Sequence, residues 1–483
     1  MKALRFKHLF GEEMKSKFEQ VTPTSITCDS TMVKANGLYT ALLWQTGGGG
    51  LVCVVKSDKP TKLPFDTPMI KGHQSTILDL DWYPFDDEYL ATSSQDQNIC
   101  IWKINDLVSD ITEAETTLSG HDKKVNQIQW NPTSAWVLGS AAHDQTVKVW
   151  DVQAGAAQNT VYANALPYSI DWNINGSLIG SSWNDKKLKI IDPRQSTISQ
   201  ELNSHQGTKP QRFAWLGSTG YFLSVGFNKT QGREFSLWNL NNTSEPVHTT
   251  QIDSGSGVLY PYWDEQLKVL YLTGKGDSGI KYFEFVDGQL HFLNQYTSTK
   301  PGKSYSFFPK RALDVNNCEV NRAAKIEENA LSFISFIAPR KANTFQEDLY
   351  PPCPGTQPAQ SAAQFFSGQN ANQVLISLRP DQQEQQQQQQ QNVVFVQQPK
   401  PQQQQQQQII QSDPQDELKI SELQRTVANQ QEKIQQLQNM IALLQSENQR
   451  LQQQTSQQEQ LQNTIALLQS ENERLQQQLS QQY

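Results

Sequence analysis

Residues 120–150 read GHDKKVNQIQWNPTSAWVLGSAAHDQTVKVW. Ser140, His143 and Asp144 crowd into five positions, the residue types of a nucleophilic hydrolase. The stretch has a second copy, however. GHQSTILDLDWYPFDDEYLATSSQDQNICIW occupies residues 72–102 and aligns with it without a gap. His73 matches His121, Thr92 matches Ser140, Asp96 matches Asp144 and Trp102 matches Trp150, each pair separated by 48 positions. A catalytic set occurs once; a set that recurs at one offset belongs to a repeating scaffold.

Three more units extend the pattern. Residues 168–194 place Ser181 and Asp185 41 positions after Ser140 and Asp144, with Ile191 at the tryptophan position. Residues 209–240 keep Trp238, and residues 256–285 keep Asp277. Each unit holds short β-branched or alternating runs between Asn, Asp, Gly and Ser turns, which predicts four antiparallel strands. One such sheet cannot bury both faces alone, whereas a ring of them can. About 350 residues at about 40–48 per unit predict an all-β, seven-bladed WD-repeat β-propeller over 1–350. The diverged ends remain strand-like, as in LYTALLW (38–44) and LSFISFIAP (331–339). In such repeats the aspartate holds the histidine, and the serine or threonine hydroxyl bridges to the indole N–H. His73, Thr92, Asp96, Trp102, His121, Ser140, Asp144 and Trp150 are therefore read as structural tetrads. His143 is a turn neighbour; the partner expected for Asp144 is the distant His121.

No other chemistry stands out. PGKS (301–304) resembles the end of a phosphate loop, but Thr297 stands where that loop needs glycine and no strand-to-helix junction follows. GKGDSG (274–279) is better explained as a blade turn. Five cysteines without a C-x-x-C favour neither a disulfide framework nor zinc. No catalytic residue, metal ligand or cofactor is expected. The N-terminus has no continuous apolar core of a signal peptide, and no apolar run is long enough for a membrane span. The chain carries a net charge of −8, of which residues 1–380 hold only −3, so no overall field draws in nucleic acid.

All 11 tryptophans fall between Trp44 and Trp263, and the end of the chain is glutamine-rich. Residues 381–415, with runs such as EQQQQQQQN (384–392), predict a disordered linker. Residues 416–483 predict an α-helical coiled coil. Ile434, Leu437, Ile441, Leu444, Asn448 and Leu451 follow one heptad frame; Leu461, Ile465, Leu468, Asn472, Leu475 and Leu479 follow another. IALLQSENQRLQQQ (441–454) recurs as IALLQSENERLQQQ (465–478), an offset of 24, or three heptads plus three, which places one stammer near 455–460. Asn448 and Asn472 at a positions set the register and favour a parallel homodimer, with a trimer as the alternative. Residues 351–380 lie between propeller and linker.

Several motifs, in order along the chain, carry a family resemblance: RFKHLFG (5–11), GGGGLVCVV (47–55), IIDPR (190–194), GKGD (274–277), FPKRALDVNNCEVNRAAKI (308–326) and SFIAPRKANTFQEDLYP (335–351). The chain resembles the coronins over nearly its whole length. The resemblance implies a cytoplasmic protein of the actin cytoskeleton. It implies that an N-terminal strand completes the last blade and that 351–380 pack on the propeller as a C-terminal extension. It also implies binding to filamentous actin, with bundling, filament turnover with cofilin, and contact with the actin-related-protein branching complex as further activities. Many members carry an arginine associated with filament binding where this chain has Thr22. The arginine-containing trimerisation pattern of some animal members is also missing, since Thr455 follows Arg450 at the position of its glutamate. A basic surface patch is expected to meet actin's acidic face, with Arg5, Lys7, Lys209, Arg212, Lys275, Lys310 and Arg311 as candidates. The competing reading is a WD-repeat adaptor for a non-actin complex.

Overall fold

A computed structural model describes residues 4–26, 30–45, 50–105, 107–341 and 344–380. The linker and coiled-coil expectations, including Asn448 and Asn472, lie outside the described residues.

Seven antiparallel sheets make a β-propeller. Blade one contains Val33–Ala35, Tyr39–Trp44, Leu51–Lys56 and Met69–Lys71. Blade two contains Ile77–Trp82, Tyr89–Ser94, Ile99–Lys103 and Thr116–Leu118. Blade three contains Val125–Trp130, Val137–Ala142, Thr146–Asp151 and Ala156–Tyr162. Blades four, five and six begin at Pro167–Trp172, Arg212–Trp215 and Leu259–Asp264. Blade seven takes Ser304–Phe307, Glu319–Ile326 and Ala330–Ile337 from the end of the chain and Phe10–Glu13 from its start, with Phe10 opposite Ile337. That strand closes the ring and covers an edge that would otherwise be open. Phe6 and Leu9 bury beside it, and the Tyr282 hydroxyl donates to the Leu9 carbonyl at 3.0 Å.

Burial follows position in the blade. The second strand of blade three, Val137–Ala142, is buried at every residue, because neighbouring blades cover both its faces. Its fourth strand, Ala156–Tyr162, is exposed or half-buried at every residue but Val161. The first strands face the axis and leave N–H groups that no strand within the blade can satisfy. Side chains of the preceding blade accept them. Asp79 Oδ2 takes the Ile128 N–H at 2.9 Å, Asp81 Oδ2 that of Trp130 at 3.0 Å and Gln127 Oε1 that of Ile170 at 2.9 Å. Ser169 Oγ takes the N–H of Phe213 at 2.9 Å, and Asp171 Oδ2 that of Trp215 at 2.8 Å. At the closure, Ser304 and Ser306 of blade seven accept from Met32 and Ala35 of blade one. Four of the seven seams are thus bolted by polar atoms that would be costly if left unpaired.

Candidate functional site

The tetrad residues are mutually bonded. In blade two, His73 Nδ1 donates to Asp96 Oδ2 at 2.8 Å, His73 Nε2 meets Thr92 Oγ1 at 2.8 Å, and the Trp102 indole donates to the same hydroxyl at 2.7 Å. Blade three repeats this with His121, Asp144, Ser140 and Trp150 at 2.8, 2.7 and 2.8 Å. Thr92 and Ser140 are completely buried, so neither hydroxyl reaches a cleft where a substrate could sit. Burial works against charge on His73, but Asp96 and Cys100 together outweigh it and raise the imidazole to about 9.

Blades four and five depart from this. In blade four the Trp183 indole takes over from the missing tryptophan and donates to Ser181 at 2.7 Å. Buried Lys189 lies against Asp185 at 3.2 Å and over the Trp183 ring. In blade five Trp238 donates to Ser224 at 2.9 Å, while His205 Nδ1 pairs with Glu234 at 2.8 Å and His205 Nε2 has no hydrogen-bond partner.

The two faces of the ring differ. Loops joining first to second and third to fourth strands make one face, and residues 353–380 run across it. The Ala359 N–H donates to Thr133 O, and the Ala135 N–H to Gln360 O, both at 2.9 Å. Ser361 caps the short helix Ala362–Phe366, and its Phe365 packs edge-on against Trp172. Arg194, from the IIDPR motif, lies over Phe365 and donates to Gly368 O, Gln369 O and Asn370 Oδ1. Cys353–Pro354 then pairs with Leu375–Ile376. The extension thus covers part of this face. The other, made by second-to-third loops and the links between blades, carries the tetrad aspartates and remains open.

The seven candidate cations do not form one patch. Lys209 and Lys275 lie on open-face loops, both half-buried, with Lys209 donating to Ser256 O at 2.7 Å. Arg5 and Lys7 are exposed but sit at the end of the ring that carries the extension, where Arg5 donates to Asp348 O. Lys310 is only 7% exposed and ion-paired with Asp264, and Arg311 pairs with Asp87. Arg212 is buried, donating to Tyr168 O at 2.7 Å with its guanidinium over Tyr260. The candidates are spread in this way because long cationic side chains reach inward to buried partners as readily as outward. Thr22 is exposed near the open face, beside Trp44, and its carbonyl accepts from the Gln45 N–H at 2.9 Å.

Residues that the sequence reading missed fill the open face. Lys123, Lys229 and Lys300 are exposed there, and Lys303 is half-buried. Several of that face's acids are already committed: Asp96 and Asp144 to histidines, and Glu327 to buried Lys325 at 3.1 Å and to Lys300 at 3.5 Å. Blade boundaries were the only signal that could have found these lysines, since each lies in a loop whose face depends on strand order. Among the described residues, no group of three or more His, Cys, Asp or Glu could hold a metal ion, and no helix is long and apolar enough to cross a membrane.

Comparison with known proteins agrees with this geometry. Residues 1–62 match a domain of unknown function, residues 66–103 and 113–151 the WD domain, G-beta repeat, and residues 331–373 a type of WD40 repeat. The chain is 31% identical over 387 residues to coronin-like protein crn1 of Schizosaccharomyces pombe, covering 78% of this chain and 64% of that one. Its fold matches the crystal structure of the WD40 domain of Toxoplasma gondii coronin, with a TM-score of 0.75 and 34% identity over 98% of that chain and 78% of this one. A chain of the mitotic checkpoint complex shares the fold alone, with a TM-score of 0.51 at 15% identity. With a ring closed by its own N-terminal strand and relatives at these identities, the chain belongs to the coronin family.

Proposed function

We propose that the chain is an actin-filament-binding protein of the cytoplasmic cytoskeleton that meets the filament with its open face. The observation that carries this is the asymmetry of the two faces: residues 353–380 cover part of one, and the other presents Lys123, Lys229, Lys275 and Lys300 while several of its acids are tied up internally. An acidic filament surface is the complementary partner, and such contacts weaken as salt rises.

Linked copies add valency. A dimer or trimer through 416–483 would place two or three weak sites on one particle, raising avidity by about 10²–10⁴ if the linker spans neighbouring filaments. Bundling follows from that, and contacts with cofilin or the branching complex belong to the same proposal. Co-sedimentation with actin filaments at low and high salt tests it. Charge reversal at Lys123, Lys229, Lys275 and Lys300 should release the protein into the supernatant, while Lys7→Glu, at the end that carries the extension, should not. No pelleting of the parent even at low salt would favour the adaptor reading. Truncation at Asp381 should keep single-site binding and abolish crosslinking.

A further inference from the structure

The axial channel holds more acid than base. Asp79 and Asp81 of blade two and Asp171 of blade four line the continuous axial cavity, one region of which encloses about 480 Å³; the extension contributes Pro354 and Gln373 to its wall. One ammonium is placed among the three carboxylates. Lys34 of blade one donates to Asp81 Oδ1 at 3.1 Å. The other cation on that wall, Arg212 of blade five, donates to Tyr168 O and to the Tyr260 hydroxyl. Blade six contributes Glu265, which is paired with Lys268, and blade three contributes only the neutral Gln127 and Gln129. Blade seven brings Arg311, already paired with Asp87.

The three carboxylates are not equivalent. Asp81 has a donor on each oxygen, Lys34 and the Trp130 N–H. Asp171 also has both, from Gln129 at 2.9 Å and the Trp215 N–H at 2.8 Å. Asp79 is only 2% exposed, and its Oδ1 has no donor at all. A buried carboxylate with an orphaned oxygen, next to a second carboxylate, is most stable when that oxygen carries a proton.

We propose that the seam between blades two and three is proton-sensitive: Asp79 holds a proton on Oδ1, and its ionisation leaves a buried charge in that seam which the Ile128 N–H and Lys34 only partly offset. Burial pushes Asp79 up to about 7, against the pull of Lys34, and pushes Asp171 up to about 6. The sign follows from linkage. A carboxyl that binds its proton more tightly folded than unfolded, where its value is about 3.9, favours the folded ring at low pH. That advantage is lost as pH rises through about 7. The ring therefore loses this stabilisation progressively from about pH 4 to about pH 7, above which both states are ionised and the contribution is constant.

The full chain suits a direct test, because its tryptophans all lie between 44 and 263 and their fluorescence reports the propeller. The thermal midpoint should fall as pH rises from about 4 to about 7, where the folded carboxyl keeps a proton that the unfolded one has lost. Asp79→Asn, which is neutral at every pH, should reduce that fall, leaving the part below about pH 6 that Asp171 supplies, and raise the midpoint at pH 8 by about 2–4 °C for each kcal/mol recovered. Parallel profiles for parent and Asp79→Asn would overturn the proposal. Should Asp79→Asn fail to fold, Lys34→Met decides the question. Loss of the single ammonium must move the fall to higher pH, and an unmoved or lowered transition would count against Asp79.

Discussion

Blades three and four are adjacent and share a register, yet they hold their third strands differently. In blade three, Leu138 faces Trp150, whose indole closes a four-residue chain through Ser140 and His121 to Asp144. In blade four the equivalent pair is Ile179 and Ile191; the indole comes from Trp183 on the second strand, and a buried lysine replaces the histidine. The lesson is that these two blades both keep a buried polar bridge between their strands and the open-face turn, but with different sets of residues. Several chemistries meet the same requirement, because the penalty falls on any orphaned donor alike.

The comparison can be broken in four ways. The largest effect should come from Trp150→Ala, which removes a buried aromatic and its bridge: about 3–5 kcal/mol in denaturant unfolding followed by circular dichroism. A loss below about 1 kcal/mol would mean that the indole is packing filler. Next comes Ser140→Ala set against Ser224→Ala. The Ser140 hydroxyl serves both His121 and Trp150, whereas Ser224 serves Trp238 while His205 Nε2 already lacks a partner. At about 1–3 kcal/mol for each orphan, Ser140→Ala should cost more; equal losses would erase the distinction between complete and broken chains.

A third, smaller effect is pH dependence in blade two. His73 is raised to about 9 in the folded protein, from about 6.5 unfolded, so its stabilisation is complete below about 6.5 and is lost as pH rises through about 9. Asp96→Asn should flatten unfolding stability between about pH 7.5 and 9, above the range where Asp79 acts. A slope that survives in the variant would place the titration elsewhere. Smallest in global terms is Arg194→Ala. Its contacts with Phe365 and residues 368–370 are local, so the unfolding midpoint should move by less than about 1 kcal/mol. Limited proteolysis within 353–380 should nevertheless accelerate, and an unchanged cleavage rate would show that Arg194 does not hold the extension.

How much of this was legible depended on whether the signal was local. The tetrads could be read because their members recur at one offset, and an offset of 48 survives without any coordinates. Arg212 and Lys310 could not be placed, because nothing within a few residues of either announces Tyr260 or Asp264 as its partner. Asp79, Gln127 and Ser169 alternate with apolar residues and look like solvent-facing positions of ordinary strands. Only ring closure turns that polar side toward the next blade's unpaired N–H groups.

The sequence by itself determined the repeat, the strand count per repeat and the family, because periodic turns and buried polar sets are written into contiguous stretches. The tertiary structure alone decided which face is open, which lysines lie on it, and that three channel carboxylates share one lysine. Those facts depend on residues far apart in the chain meeting across blade seams. Charge there is governed by what lies opposite in space, and no spacing along a strand encodes it.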